Sequence, residues 1–366
     1  MRHFAIAALL TLAAPLAAPL AAANAAAKDA PEPAFRPAVE RAVEEVIRPG
    51  YAALAEAAGS TKAAVAALCE APSQERLAAA RQAFRALVAA FARVEPYRFG
   101  PARENNRYER LFFWPDPRGR GLRQVEGVIL GEDESATTRE SLQAKSVAVQ
   151  GLPALDVILS GTGSDAMATP PASFRCRYAR AAAEAIGATA GDIAAGWRDD
   201  DGFPRLMLEV GPDNPVYRSH GEAVQDLLQA GSEQIQIVRD LKLSPVLGDG
   251  PADARPRLAP FWRSGAALDA VAGNVEGVAL LVEALDLARL VPDGGAGLAS
   301  NLSFELEAAQ RALTVDVPIA EAVADEETHA RLSFALVPLA SAIRILDERA
   351  PGALGLVSGF NSLDGD

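Results

Sequence analysis

Apolar residues recur at intervals of three and four along almost the whole chain, in segments rich in Ala and Leu. The period-two alternation of Val, Ile, Thr and aromatic residues that marks a strand is hard to find. The pattern predicts an all-α protein. Helices are expected at about 36–57, 60–70, 73–95, 104–113, 134–145, 153–160, 173–199, 215–242, 258–290, 298–313 and 325–349. Ser73 stands at an N-cap position, and Pro215 and Pro256 stand where proline is tolerated at a helix start. The pattern breaks at Asp199-Asp200-Asp201-Gly202-Phe203-Pro204 and again at Gly211-Pro212-Asp213-Asn214-Pro215, which places a domain boundary near 200–214. Two helical-bundle domains are therefore expected, at 28–204 and 205–366. The first carries a long irregular segment, residues 96–131, and segments of that kind, held on rigid helices, often carry function.

The start of the chain reads differently. Arg2 and His3, the apolar stretch Phe4 to Leu20, and Ala23-Asn24-Ala25 or Ala25-Ala26-Ala27 make residues 1–27 a secretory signal with a small-residue cleavage site. Pro15 and Pro19 interrupt the apolar stretch, and no other run reaches the ~18 apolar residues of a membrane span. The expectation is an exported protein of a bacterial periplasm, without a transmembrane anchor. Net charge is −13, so the summed field repels nucleic acid and anionic lipid, and nucleic acid is excluded as a general partner. Cys69 and Cys176 are too few for a disulfide scaffold or a four-thiolate zinc site; an oxidising compartment would permit one bridge between them.

Several catalytic signatures are missing: a Gly-x-x-x-x-Gly-Lys-Ser/Thr loop, His-Glu-x-x-His, Cys-x-x-Cys and Gly-x-Ser-x-Gly. Gly161-Thr162-Gly163-Ser164-Asp165-Ala166 has the spacing of a dinucleotide loop, but it follows a helix and reads as a C-cap and linker. His220 and His329 lie in different expected helices, so a multi-histidine metal centre is not available.

The most unusual window is 97–123. It holds Tyr97, Phe99, Tyr108, Phe112, Phe113 and Trp114 with seven arginines, among them Arg98, Arg107 and Arg118, and it has a local net charge of +4. Two readings stand side by side. Guanidinium forks between aromatic walls could bind the carboxylates of a ligand or partner, or the arginines could brace the acidic faces of neighbouring helices. At the other end of the chain, Asn361, Asp364 and Asp366 offer hard oxygen ligands for a cation.

The segments Val94-Glu95-Pro96-Tyr97-Arg98-Phe99-Gly100-Pro101, Glu104-Asn105-Asn106-Arg107, Phe113-Trp114-Pro115-Asp116, Gln150-Gly151-Leu152-Pro153-Ala154-Leu155-Asp156 and Gly359-Phe360-Asn361 through Asp366 together resemble the imelysin family. Lys242 to Gly248 and Pro260-Phe261-Trp262-Arg263-Ser264 resemble that family's second half. The resemblance implies an exported bacterial protein with two helical bundles and a site between them, often linked to iron uptake; some members are named as metallopeptidases. The family's hallmark, Gly-x-His-x-x-Glu, falls here on Gly151, Pro153 and Asp156, so the imidazole is replaced by a side chain that cannot ligate and the carboxylate is one methylene shorter.

The resulting expectation is a binding protein for iron or another metal, for a metal complex or for a small anionic ligand. Its candidate ligand-binding residues are Glu95, Arg98, Asn106, Arg107, Trp114, Asp116, Arg118, Gly151, Asp156 and Asn361, with Asp156 and Asp364 as metal ligands and no catalytic residue. Oxygen ligands favour iron or calcium over zinc. A metallopeptidase and an envelope scaffold that binds another protein are the alternative readings.

Overall fold

The computed structural model describes residues 32–291 and 294–356, so the expected signal segment and the tail residues Asn361 and Asp364 lie outside the described residues. Among the described residues every regular element is helical. Helix α1 (Glu32–Arg41) runs through a wider, π-helical turn, Ala42–Ile47, into α2 (Arg48–Glu70). The break expected near 58–59 does not occur: Gly59 faces open space, where a glycine costs a helix only about 1 kcal/mol. Ser73 caps α3 (Gln74–Val94), its hydroxyl accepting from the Arg76 N–H at 3.2 Å. After α3 come the short α4 (Arg107–Leu111), α5 (Arg120–Leu130), α6 (Arg139–Gln143) and α7 (Leu152–Ser160), and then the long α8 (Phe174–Arg198). Helices α2, α3 and α8 pack together over a core that includes Leu54, Val65, Phe84, Leu87 and Trp197.

The boundary expected near 200–214 falls in a stretch whose one regular element is α9 (Phe203–Leu208). Beyond it, α10 (His220–Gln236) begins at a Ser219 cap, not at Pro215, and passes through a second π-helical stretch, Ile237–Leu243, into α11 (Ser244–Leu247). The helix expected from 258 starts only at α12 (Ala267–Leu285). Residues 248–266 hold no helix longer than the short 3-10 turns Pro251–Asp253 and Pro256–Leu258, because Pro251, Pro256 and Pro260 remove backbone donors and Phe261 sits at φ 60°, a region that bulky residues avoid. The chain continues through α13 (Leu287–Leu290), α14 (Gly295–Leu313), α15 (Ile319–Ala322), α16 (Glu326–Phe334), α17 (Leu336–Arg344) and α18 (Ala350–Leu354). Residues 326–354 form one run of 29 residues, long and apolar enough to cross a membrane by length and composition. Leu332, Leu339, Ala342, Ile345 and Leu346 on that run are buried, and α17 packs on α10 and α14, as a core helix does.

Two features tie the early and late parts of the chain. Helix α1 packs on α10 and α12, and α3 crosses α12. The crossing is close because a Cβ at Gly277 would collide with the Arg93 backbone, and Tyr97 reaches over it to donate from its hydroxyl to the Gly277 carbonyl at 2.9 Å. A disulfide joins Cys69, at the end of α2, to Cys176, in the first turn of α8.

That bridge spans 107 residues, and closing a loop of such length stabilises by up to ~5 kcal/mol through the unfolded chain. The double variant Cys69→Ser/Cys176→Ser is expected to lower the urea midpoint by a loss of about 3–5 kcal/mol. An unchanged midpoint would show that α2–α8 packing alone holds these ends together.

Candidate functional site

A cavity of about 450 Å³ opens between α7, the stretch 113–122 and the loop 257–263. Its walls are mostly apolar and aromatic, with Phe113, Trp114, Leu258, Phe261 and Trp262 facing it. The charged groups on it are Asp116, Asp156, Arg257 and Arg263. An apolar hollow with a few convergent polar groups is the ordinary build of a small-molecule site.

Asp156 comes from α7. That helix starts at Leu152 with Pro153 in its first turn, where the missing N–H would have had no partner. Gly151, at the N-cap, fits because a Cβ there would collide with the Leu111 and Arg110 carbonyls. The hallmark glycine position therefore seats α7 against the end of α4 and offers no side chain to a ligand. Asp156 is 3% exposed. Its Oδ1 accepts from the Ser264 N–H at 3.1 Å, a donor presented by the turn that Phe261 makes at positive φ. Burial pushes the Asp156 carboxyl up to about 6, against the opposing pull of Ser264 and the Arg263 guanidinium.

Asp116 is occupied otherwise. Its Oδ1 accepts from the Arg120 N–H at 2.8 Å, and its Oδ2 accepts from the Gly121 and Leu122 N–H groups at 2.8 and 3.3 Å. Both oxygens thus cap α5, and Asp156 is left as the cavity carboxylate not committed to a helix end. Trp114 stacks on Phe112 with ring centroids 5.8 Å apart.

Behind these two rings lies Lys242, its ammonium 5.4 Å from the Phe112 centroid and 5.7 Å from that of Trp114. The Lys242 Nζ donates to Glu95 Oε1 and Oε2 at 2.8 and 2.7 Å and to Asn274 Oδ1 at 2.8 Å. Asn274 in turn donates to the Ala92 carbonyl at 2.8 Å and to Glu95 Oε2 at 2.9 Å. Every donor of the ammonium is used, and both charged side chains are sealed from solvent. Burial lowers the Lys242 pKa, while Glu95 pulls it back toward the charged form. Glu95, a candidate ligand by sequence, is thus one half of a buried ion pair behind the cavity wall.

The remaining sequence candidates among the described residues do not line the cavity. Arg98 lies over the Tyr108 ring at 5.8 Å and 4.0 Å from Glu233. Arg107 donates to the Pro101 carbonyl at 3.0 Å and to Glu104 at 2.7 Å, and Asn106 is an exposed residue at φ 56° just before α4. Arg118 is exposed, and its carbonyl accepts from Arg123 at 2.8 Å. Arg110 donates to the Asn105 and Gln143 carbonyls and to Gln150. Several arginines of the 97–123 window thus brace their own segment. Sequence reasoning missed Arg257, Trp262, Arg263 and Ser264. The apolar spacing from 258 predicts a helix there, whereas Pro256 and Pro260 favour the irregular path that the chain takes.

Among the described residues no group of three His, Cys, Asp or Glu side chains is placed to hold a metal ion. His220 contacts Glu32 through Nδ1 at 2.9 Å and the Leu208 carbonyl through Nε2 at 3.1 Å, and His329 contacts the Leu247 carbonyl at 3.0 Å.

The family described as Imelysin (peptidase M75) matches residues 47–344. An imelysin-like protein from Psychrobacter arcticum 273-4 shares the fold with a TM-score of 0.75 at 21% identity, over 90% of this chain and 98% of that one. A protein from Parabacteroides distasonis ATCC 8503 that carries the provisional name iron-regulated protein A precursor aligns with a TM-score of 0.68 at 18% identity, over 86% and 94% of the two chains. No curated protein matches the sequence.

Lys242→Met would leave Glu95 charged and buried with only the Asn274 amide as partner among the contacts described, at a cost of about 3–5 kcal/mol, whereas Glu95→Leu/Lys242→Met would recover most of it. Urea unfolding of both variants checks this, and a single variant as mild as the double would show that the pair is not coupled. Asp156 carries the opposite sign from an ordinary salt-bridged carboxylate. Its folded pKa of about 6 lies above the ordinary carboxyl value of 3.8, so the folded state holds the extra proton and stability falls as pH rises from about 4 to 6. Asp156→Asn is expected to remove that slope and to raise stability at neutral pH by roughly 2–3 kcal/mol. Parallel pH–stability curves for the two proteins would contradict it.

Proposed function

The chain belongs to the imelysin family, and on that premise we propose that it is an exported, periplasmic binding protein whose cavity receives iron or another metal as a complex, without turning over substrate. The observation that carries this reading is Asp156. It stands at the carboxylate position of the family motif, on a mostly apolar cavity, with its oxygens uncommitted to a helix end. A lone carboxylate cannot complete the six to eight oxygen ligands of calcium or the four ligands of zinc. A metal that arrives with its own organic ligands needs fewer groups from the protein: one acceptor, flat indole walls and guanidinium donors. Asp156, Trp114, Trp262, Arg257 and Arg263 supply them.

The name of the Parabacteroides protein supports the link to iron. A peptidase would need a metal-activated water and a general base, and the position that would hold a histidine is Pro153. The binding reading therefore has more support from the side chains present. Because the Asp156 carboxyl titrates at about 6, it is ionised at neutral pH and loses its charge in mild acid.

The test is calorimetric titration of the mature protein with ferric citrate, and separately with calcium and zinc chlorides, followed by elemental analysis after desalting. Uptake of the ferric chelate is expected, weakened about tenfold in Asp156→Asn and likewise in the unmodified protein near pH 5. Absence of uptake, or uptake indifferent to Asp156, would sink the proposal. Chelator-sensitive cleavage of peptide substrates, lost in Asp156→Ala, would establish the peptidase reading instead.

A further inference from the structure

Beside the cavity lies a second pocket of about 500 Å³, bounded by Arg81 and Arg85 on α3, by the turn 160–165 that follows α7, and by Arg263 and Ser264. Arg263 lines both hollows. Three guanidinium groups face this pocket against one carboxylate, Asp165, and that carboxylate is already paired. The Arg81 Nη2 donates to Asp165 at 2.8 Å and to the Ser164 hydroxyl at 2.9 Å, while its Nε donates to the Leu159 carbonyl at 2.8 Å. Arg81 therefore holds the turn in place and neutralises its acid.

Arg85, which is exposed, and Arg263 form no salt bridge with a described residue, although the Arg263 guanidinium lies near enough to Asp156 to favour its ionised form. Arg263 is nonetheless held: its guanidinium lies 4.5 Å from the centre of the Trp262 ring. Stacking on an indole fixes the plane of the fork and leaves its N–H edge for a ligand. The Ser160 hydroxyl, in the same lining, is buried and has no hydrogen-bond partner among the described residues. A buried hydroxyl left unpaired costs about 1–3 kcal/mol, a cost that an occupant accepting or donating one hydrogen bond would remove. The other acid nearby is Asp156, which reaches Ser264 from the cavity side.

We propose that this pocket is a binding site for the oxyanion group of a small soluble molecule, phosphate or carboxylate in type, held by Arg85, Arg263 and the Ser160 hydroxyl. The charge argument is specific. Two guanidinium groups without a salt-bridge partner among the described residues line one pocket in a chain of net charge −13, and an anion is the partner that matches their paired donors. A cation finds no free carboxylate in it. The Gly161-Thr162-Gly163 turn, which by sequence reads as a linker, is one wall of the site. The site shares Arg263 with the larger cavity, but Arg85, Ser160 and the turn do not line that cavity, so Arg85→Gln separates this site from the metal reading.

Isothermal titration with inorganic phosphate and with sulfate, at constant ionic strength, tests the proposal. Saturable binding at one site is expected with at least one of the two anions, in the millimolar range or tighter. Arg85→Gln/Arg263→Gln is expected to weaken it at least about tenfold, and Ser160→Ala about threefold. Arg311→Gln, which removes one positive charge from exposed α14 surface, is expected to leave it unchanged. Circular dichroism establishes that the variants fold, and Arg85→Gln alone serves if the double variant does not. No saturable heat with either anion up to about 10 mM, or equal affinity in the arginine variants, would overturn the proposal.

Discussion

The close crossing of α3 over α12 is the constraint from which the rest of the molecule follows. Gly277 lets the two backbones approach, and Asn274, one turn earlier, donates across the gap to the Ala92 carbonyl. Glu95, just past the end of α3, and Lys242, at the end of the π-helical stretch after α10, then meet Asn274 in one buried cluster. Such a pair adds little net stability over an apolar core, because desolvation offsets most of the attraction. What it supplies is registry, since each charge tolerates only the arrangement that satisfies it. Here the registry extends to the cavity, because the Lys242 ammonium also lies against Phe112 and Trp114, and Trp114 is a cavity wall.

The cavity and the pocket beside it share an electrostatic logic. Asp156 is buried against the grain, with burial working to keep its proton on, and the Arg263 guanidinium is a nearby group that favours its ionised form. Arg263 faces the second pocket as well. The side chain is placed by a loop that departs from easy backbone geometry, with Phe261 at positive φ and its ring packed on Phe84 and Phe112. Strain of this kind persists where surrounding packing determines the conformation, and it is found disproportionately at functional sites.

The helical pattern was legible in the sequence because it depends on local periodicity. The expected helices 73–95, 153–160 and 173–199 lie within a residue or so of α3, α7 and α8. The failures have local causes too. Apolar spacing in 258–266 imitated a helix that three nearby prolines forbid, and α5 was hidden because its helix start is capped from a distance, by Asp116. Of the site, the family motif pointed to Asp156, and Trp114 and Asp116 also reach the cavity. Composition could not tell which arginines have spare donors. The arginine-rich window spends Arg107, Arg110 and Arg123 on its own backbone, whereas Arg85 and Arg263, distant in sequence and unremarkable there, line the second pocket. That distinction is tertiary, and no single segment contains it.

The disulfide makes the chain between Cys69 and Cys176 a covalent ring. Within that ring lie α3, Trp114, Asp116 and Asp156, one side of the cavity, whereas Trp262 and Arg263 belong to the open chain beyond it. A protease that cuts one surface turn inside the ring does not separate the molecule into two pieces, since the bridge still joins the cut ends through the rest of the loop. A cut in the loop 248–258 has no such safeguard and divides the chain between the two sides of the cavity. The consequence of a nick thus differs across a single site, and the side outside the ring is the one that holds the arginine shared by both pockets.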